Sequence, residues 1–375
     1  MQRWIGRPEA LDEAPARLGI AVVLSGAALG LFRQEAAPGL AASTAGALLM
    51  VATLWVGYHW IGLRGFGRLW PGAAVGMATG LLTFCLSPPG LPVALSFSLA
   101  VVAVLVEGAF RGLRVPLAIG GVMIAWPLAW LWHAHSGMGY VSPFVLRPQP
   151  EPIGLWSNFQ LELDPLRLYT GNVAGPLGAT SFGLAMIGFT VLAYLRKASW
   201  LFLLAFFLPI AAAMAGAGQS LPVYLISGPA VVFAGLIAAD TLKLPPAASW
   251  KVGAGMAGGV LSALLLLRGG GSDSYGGGVL VVLLLVALFQ LFGLAGSPAL
   301  IRGERDQPRP HVAQARTPGQ LAALVAFAPL GLVLVWRDKS LPRAQRQILA
   351  GLGLLLYLAA VGGGLLWLWA LRLPN

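Results

Sequence analysis

The 375-residue chain is 58% hydrophobic and only 10% charged, whereas soluble domains run at about 45–50% apolar and about 25% charged, so a conventional water-solvated domain is excluded and lipid is the main solvent. Its net charge of +11 does not signal nucleic acid, because Lys and Arg occupy short loops between apolar runs instead of forming a basic stripe interleaved with aromatics.

A helix needs about 20 predominantly apolar residues to cross a hydrocarbon core about 30 Å thick, and such runs recur along the whole chain, which reads as an all-α polytopic membrane protein of roughly ten to twelve spans. Residues 1–17 form a polar segment with no cleavable signal after it, so the first helix is expected to stay as an anchor. Candidate helices then follow at Leu18–Phe32, Leu40–Leu63, Gly72–Leu86, Leu91–Phe110 and Val115–Trp132, a first five-helix block over residues 18–132. Cys85, the single cysteine, lies in the third run. It excludes an internal disulfide, a thiolate zinc site and a self-contained iron–sulfur cluster.

A long loop over residues 133–176 carries the Pro-rich stretch RPQPEP and then Trp156, Phe159, Leu161 and Tyr169, a mixture that argues for a packed loop. A second five-helix block over 177–294 contains runs at Leu177–Leu195, Trp200–Ala217, Val223–Ala239, Val252–Leu267 and Val279–Leu294. A basic linker over 295–320 leads to a C-terminal hydrophobic hairpin over 321–375, with runs at Leu321–Trp336 and Ile348–Leu371.

Charge asymmetry orients the runs. With the N-terminus inside, fifteen Lys and Arg residues, among them Arg17, Arg64, Arg111, Arg196, Lys243 and Arg305, fall on the inner side. Only Arg33, Arg147, Arg167 and Arg268 fall outside through ten helices, which implies a cytoplasmic N-terminus by the positive-inside rule. The final pair breaks the pattern, since Arg337, Lys339, Arg343 and Arg346 would then lie outside; either the Leu321 run is re-entrant or the hairpin tolerates the violation.

TGLLTFCLSPPG at Thr79–Gly90 echoes AGLIAADTLKLPPA at Ala234–Ala247, with two residues inserted before the second Pro pair. The offset of five helices is odd, so the two segments run in opposite directions, as in inverted-topology repeats that meet near the bilayer midplane. Chance likeness between Gly-, Leu- and Ala-rich helices is the competing reading.

Those segments, with EGAFRGLRVPLAIGG at Glu107–Gly121, GNVAGPLGATS at Gly171–Ser181 and YLISGPAVVFAGLIAADTLKLPP at Tyr224–Pro246, resemble in order and spacing the RnfD/NqrB family, the multispan membrane proteins of the Rnf electron-transport complex and of the related sodium-pumping NADH:quinone reductase. The likeness covers about Leu18 to Leu294. It implies two inverted five-helix repeats, similar to the urea-transporter fold, followed here by the C-terminal helical hairpin. It also implies a bacterial inner-membrane protein working with other membrane subunits and with peripheral flavoprotein and iron–sulfur subunits to couple electron transfer to ion movement. In those relatives a Thr in S-G-A-T-P-L carries FMN through a phosphoester; the matching stretch here is SNFQLELDPLRL, where Asp164 stands before Pro165 and Leu166 and offers no hydroxyl. The Asn-Pro-Ala motif and the Glu of G-E-T-S are also replaced, with Gly120, Gly121 and Ala179 nearby. The resemblance therefore implies a divergent member without covalent FMN. The rival reading is a stand-alone small-solute permease or channel on the same scaffold.

The candidate chemistry is sparse. Gly175, Gly178, Thr180 and Ser181 could bring backbone amides to a non-covalent FMN or riboflavin with Trp156 stacking on its ring, or could form a small-residue packing interface. Asp240 and Glu107, the acidic residues nearest to helix interiors, are candidates for an ion pathway; the alternative is pairing with Arg111, Arg114 or Lys243 at the inner helix ends. His133 and His135 are two apart and lack an acidic or Cys partner, so they read as interfacial residues and no metal site is expected. GGGSDSYGGG lacks the Lys-Ser/Thr ending of a nucleotide-binding loop and reads as a flexible turn.

Overall fold

The computed structural model describes residues 13–59, 72–112, 119–136, 140–141, 143, 148–161, 163–241, 243–245 and 247–291. Both runs assigned to the C-terminal hairpin lie outside the described residues, as do the polar N-terminal residues up to 12 and most of the basic loop around Arg64.

Within the described residues the protein is almost wholly helical. The helices of the first block are α1 (Glu13–Leu31), α2 (Arg33–His59), α3 (Ala73–Cys85), α4 (Val93–Gly112) and α5 (Gly121–Ser136). The long loop folds into a two-residue strand pair, β1 (Tyr140–Val141) with β2 (Pro148–Gln149), and two short helices, α6 (Pro152–Phe159) and α7 (Pro165–Thr170). In the second block come α8 (Phe182–Tyr194), α9 (Trp200–Gly216), α10 (Leu221–Leu225), α11 (Gly228–Val231) running into a π-helical stretch Val232–Ala238, α12 (Ala248–Leu267) and α13 (Asp273–Leu291).

Three of these helices contain segments long and apolar enough to cross a bilayer, Ala36–Leu54, Ala248–Leu267 and Asp273–Gln290, and six shorter apolar helices accompany them. This is a membrane protein. Its exposed surface is apolar where a soluble helix would be charged: Leu204 and Leu208 on α9 are 63% and 62% exposed, and Ile187 on α8 is 58% exposed. Side chains of this kind left facing outward are stable against lipid tails and unfavourable against water.

With lipid as apolar as the side chains, helix association depends on close packing, and small residues supply it. On α12, Gly255 and Gly259 lie against the carbonyls of Phe202 and Phe206 on α9, so close that any Cβ would overlap them. In the first block α2 packs along α4, and in the second α9 packs along α12.

One expected element is divided. The run Val223–Ala239 is not a single helix but α10, a break at Ile226–Ser227, α11 and the π stretch. Pro222 and Pro229 each open a helical segment, where the missing N–H is no loss, and each prevents the helix from continuing through it. Backbone freed in this way must find partners inside the protein. Tyr275 meets one such need, its hydroxyl donating to the Tyr224 carbonyl at 2.7 Å.

The long loop packs as expected, but of the residues named only Trp156 packs against the core. Ile153 and Leu168 are buried, whereas Phe159, Leu161 and Tyr169 are 60%, 54% and 50% exposed. The sequence GGGSDSYGGG is not a flexible turn: Ser272 and Ser274 are buried, Tyr275 is fully so, and Asp273 opens α13.

Candidate functional site

Glycine-rich chain between α7 and α8 is wedged between two helix ends. Gly178 N–H donates to the Cys85 carbonyl at 2.9 Å and Leu177 N–H to the Ser87 carbonyl at 3.1 Å, which satisfies carbonyls left over where α3 stops. On the other side Gly228, at the start of α11, abuts the Ala179 carbonyl with no space for a side chain. Ser181 caps α8, its Oγ accepting from Leu184 N–H at 3.2 Å and donating to the Tyr169 carbonyl at 2.9 Å. Gly175 lies against the Thr180 methyl group.

A cavity of about 20 Å³ opens beside Gly175 and Thr180, lined also by Glu151, Ile153, Ser227 and Ser272. A space of that size holds about one ordered water. It does not accommodate an isoalloxazine ring, and Gly178 and Ser181 are not among its lining residues. The Trp156 indole N–H donates to Gln219 Oε1 at 2.8 Å. Of the five residues assigned to FMN or riboflavin, Gly175 and Thr180 line this cavity and Gly178, Ser181 and Trp156 do not; the glycine-rich chain packs closely between the helix ends.

Asp240 and Glu107 are both buried and both ion-paired. Asp240 Oδ2 lies 3.0 Å from Arg17 Nη2. Glu107 Oε1 lies 2.9 Å from Lys243 Nζ, and Glu107 Oε2 accepts from Lys243 Nζ and from Gly121 N–H, each at 3.0 Å. Lys243 was among the partners the sequence suggested; Arg17 was not. The two pairs sit at either end of the short stretch after the π segment and tie it to α1, α4 and α5.

The densest polar group was missed by sequence reasoning. Glu151, at the N-cap of α6, accepts from Ser272 N–H through Oε1 at 2.6 Å, while its buried Oε2 has no hydrogen-bond partner among the described residues. Tyr140 O–H reaches both oxygens of Asp273, at 3.1 and 3.2 Å. Burial pushes the Glu151 carboxyl above its ordinary value, with the Ser272 contacts opposing. Burial likewise raises Tyr140, and the charges of Asp273 and Glu151 add to it. Acidic residues beside Pro and Gly gave no periodic signal, and only the fold brings residues so distant in sequence together. Among the described residues no cluster of three or more His, Cys, Asp or Glu side chains is arranged to hold a metal ion, and the His133 ring packs against Tyr140 at a tilt of 37°, with ring centres 4.4 Å apart.

Comparison with known proteins returns neither a matching family model nor a matching curated protein.

Proposed function

We propose that the chain is a membrane component of an Rnf- or Nqr-like ion-translocating electron-transport complex, built on two inverted five-helix repeats and carrying no covalent FMN. The observation that carries this reading is spatial: the four sequence segments on which the resemblance rests contact one another. The end of the first (Cys85, Ser87) bonds to the third (Leu177, Gly178). That third segment abuts Gly228 of the fourth, and the second (Glu107, Gly121) is joined to the fourth through Lys243. Motifs matched by chance have no reason to converge in this way. The corresponding packing of α2 on α4 and of α9 on α12 supports the repeat, as does the broken helix in the second block, since discontinuous helices at a repeat interface are the usual place for a transport site.

In this reading the protein lies in a bacterial inner membrane with its N-terminus in the cytoplasm, and flavoprotein and iron–sulfur partners carry the electrons. A non-covalent flavin at Gly175 and Thr180 would require α6 and α7 to move away from α11. The second reading, a stand-alone permease, is favoured by Asp164 standing where the relatives have their attachment Thr. Affinity purification of the full chain from its native membrane separates the two. Recovery of flavin- and iron–sulfur-containing subunits supports the complex, and a homo-oligomer that conducts a small solute in liposomes supports the permease.

A further inference from the structure

Glu151 is a buried carboxyl with a free oxygen beside a water-sized cavity. Its side chain is drawn in by Ser272 N–H on Oε1, and the residue is only 9% exposed. A carboxylate in such surroundings needs either a cation or a proton, because the charge is too costly to leave alone. Among the described residues no Lys or Arg lines the cavity, and the basic side chains described on the flanking segments, Arg167 and Arg268, are exposed. Among the described residues, the titratable groups that face Glu151 from packed elements are Tyr140 on β1 and Asp273 and Tyr275 on α13, none of them a cation. Asp273 is near enough for its charge and that of Glu151 to repel.

The two carboxyls differ in what surrounds them. Asp273 has the Tyr140 hydroxyl across both its oxygens, a setting that suits an acceptor. Glu151 has one backbone donor on Oε1 and, among the described residues, nothing on Oε2. A proton on Oε2 turns that acceptor into a donor beside the cavity, whose lining also includes the hydroxyl-bearing residues Ser272, Thr180 and Ser227. An ordered water needs about two to four polar partners, and these groups supply them.

We propose that Glu151 and this cavity form a proton-binding site, in which the carboxyl is protonated at neutral pH and donates through Oε2 to a single bound water held by Ser272, Thr180 and Ser227. The site joins the long loop to α11 and α13 at the helix break, so loss of the proton would place an unpaired charge at that junction. It stands on the cavity alone and does not depend on the electron-transport reading.

Infrared spectroscopy on the full chain in lipid nanodiscs tests it. At neutral pH the wild type is expected to show the carbonyl stretch of a protonated carboxyl in weakly polar surroundings, lost in Glu151→Gln and retained in Asp273→Asn. Gln keeps an acceptor for Ser272 and a donor toward the cavity, so the variant should fold. Absence of the band in wild type, or its persistence in Glu151→Gln, would overturn the proposal. Exchanging choline for sodium at constant pH should leave the band unchanged; its disappearance would show that the carboxylate takes a cation and would also overturn it. A water O–H band that shifts in heavy-oxygen water and changes in Ser272→Ala is expected, and no change would remove the water from the site.

Discussion

Arg17 Nη2 lies 3.0 Å from Asp240 Oδ2, and Nη1 of the same guanidinium donates to the Leu236 carbonyl at 3.2 Å, so the start of α1 is clamped to the end of the π segment. Asp240 is 2% exposed. Removing one member of a buried pair leaves an uncompensated charge, at a cost of about 3–5 kcal/mol. Arg17→Met should therefore lower the thermal stability of the detergent-solubilised protein strongly, and Arg17→Met combined with Asp240→Leu should recover part of the loss, with a coupling of about 0.5–3 kcal/mol. Simple additivity would mean that the two side chains do not support each other, and would return Asp240 to the ion-pathway candidates.

Glu107 and Lys243 form the second such clamp, between α4 and the chain after the π segment. Lys243→Met should destabilise more than Glu107→Gln, because it takes the ammonium away from a buried carboxylate whereas Gln, uncharged, still accepts from Gly121 N–H. Unfolding midpoints measured on the two variants side by side decide this; the reverse order would mean that the carboxylate has another cation within reach.

Stability should also depend on pH through Glu151. Its folded-state pKa is raised above the ordinary value of 4.5, so between that value and the raised one the folded chain holds a proton that the unfolded chain has lost. Stability is fully present below the ordinary value and falls as pH rises through the window, by at most about 1.4 kcal/mol per pH unit. Glu151→Gln should flatten this part of the profile. Equal slopes for wild type and variant between acid and neutral pH would show that Glu151 ionises alike in both states.

Much of the helical architecture was legible because long apolar runs between charged breaks carry their own boundaries: α3, α4 and α9 fall within two residues of the ranges read from sequence, and α12 within four. The break at Ser227 was hidden because hydropathy is blind to a helix that stops and restarts while remaining apolar. The signal was present in Pro222 and Pro229, seven residues apart. Glu151, Tyr140 and Asp273 were illegible as a group, since their meeting depends on the long loop folding back over the start of α13. Gly-rich sequence around Asp273 suggested freedom, where the glycines instead admit close packing.

Topology has a direct chemical readout. The proposed orientation, with the N-terminus in the cytoplasm, puts Ser157 on the periplasmic side and Tyr194, at the far end of α8, on the cytoplasmic side. Both positions are exposed, Tyr194 at 87%, and the native Cys85 is buried. In intact cells an impermeant thiol reagent should label Ser157→Cys and spare Tyr194→Cys until the membrane is opened. The opposite pattern would invert the protein.

The last prediction concerns covalent flavin. A phosphoester-linked FMN needs a Ser or Thr hydroxyl, and in the stretch that resembles the attachment motif Asp164 stands before Pro165 and Leu166. In the structure Asp164 has a different occupation: its Oδ1 accepts from Leu166 N–H at 2.9 Å, capping the short helix α7. An Asp N-cap stabilises a helix by about 1 kcal/mol relative to Ala, a sufficient local reason for a carboxylate there. The nearby hydroxyls are occupied or poorly placed. Thr170 Oγ1 bonds back to the Leu166 carbonyl at 2.8 Å, Thr180 is 4% exposed, and neither is followed by Pro-Leu. Co-expressed with a flavin transferase, the chain should give no fluorescent band on a denaturing gel. Asp164→Thr should keep the cap, since Thr serves at that position, and restores the missing hydroxyl. If this variant acquires a fluorescent band while wild type does not, the loop has kept the shape the transferase recognises and has lost only its attachment atom. A fluorescent wild-type band, with an FMN-sized mass on a peptide between Leu155 and Arg196, would show the prediction wrong.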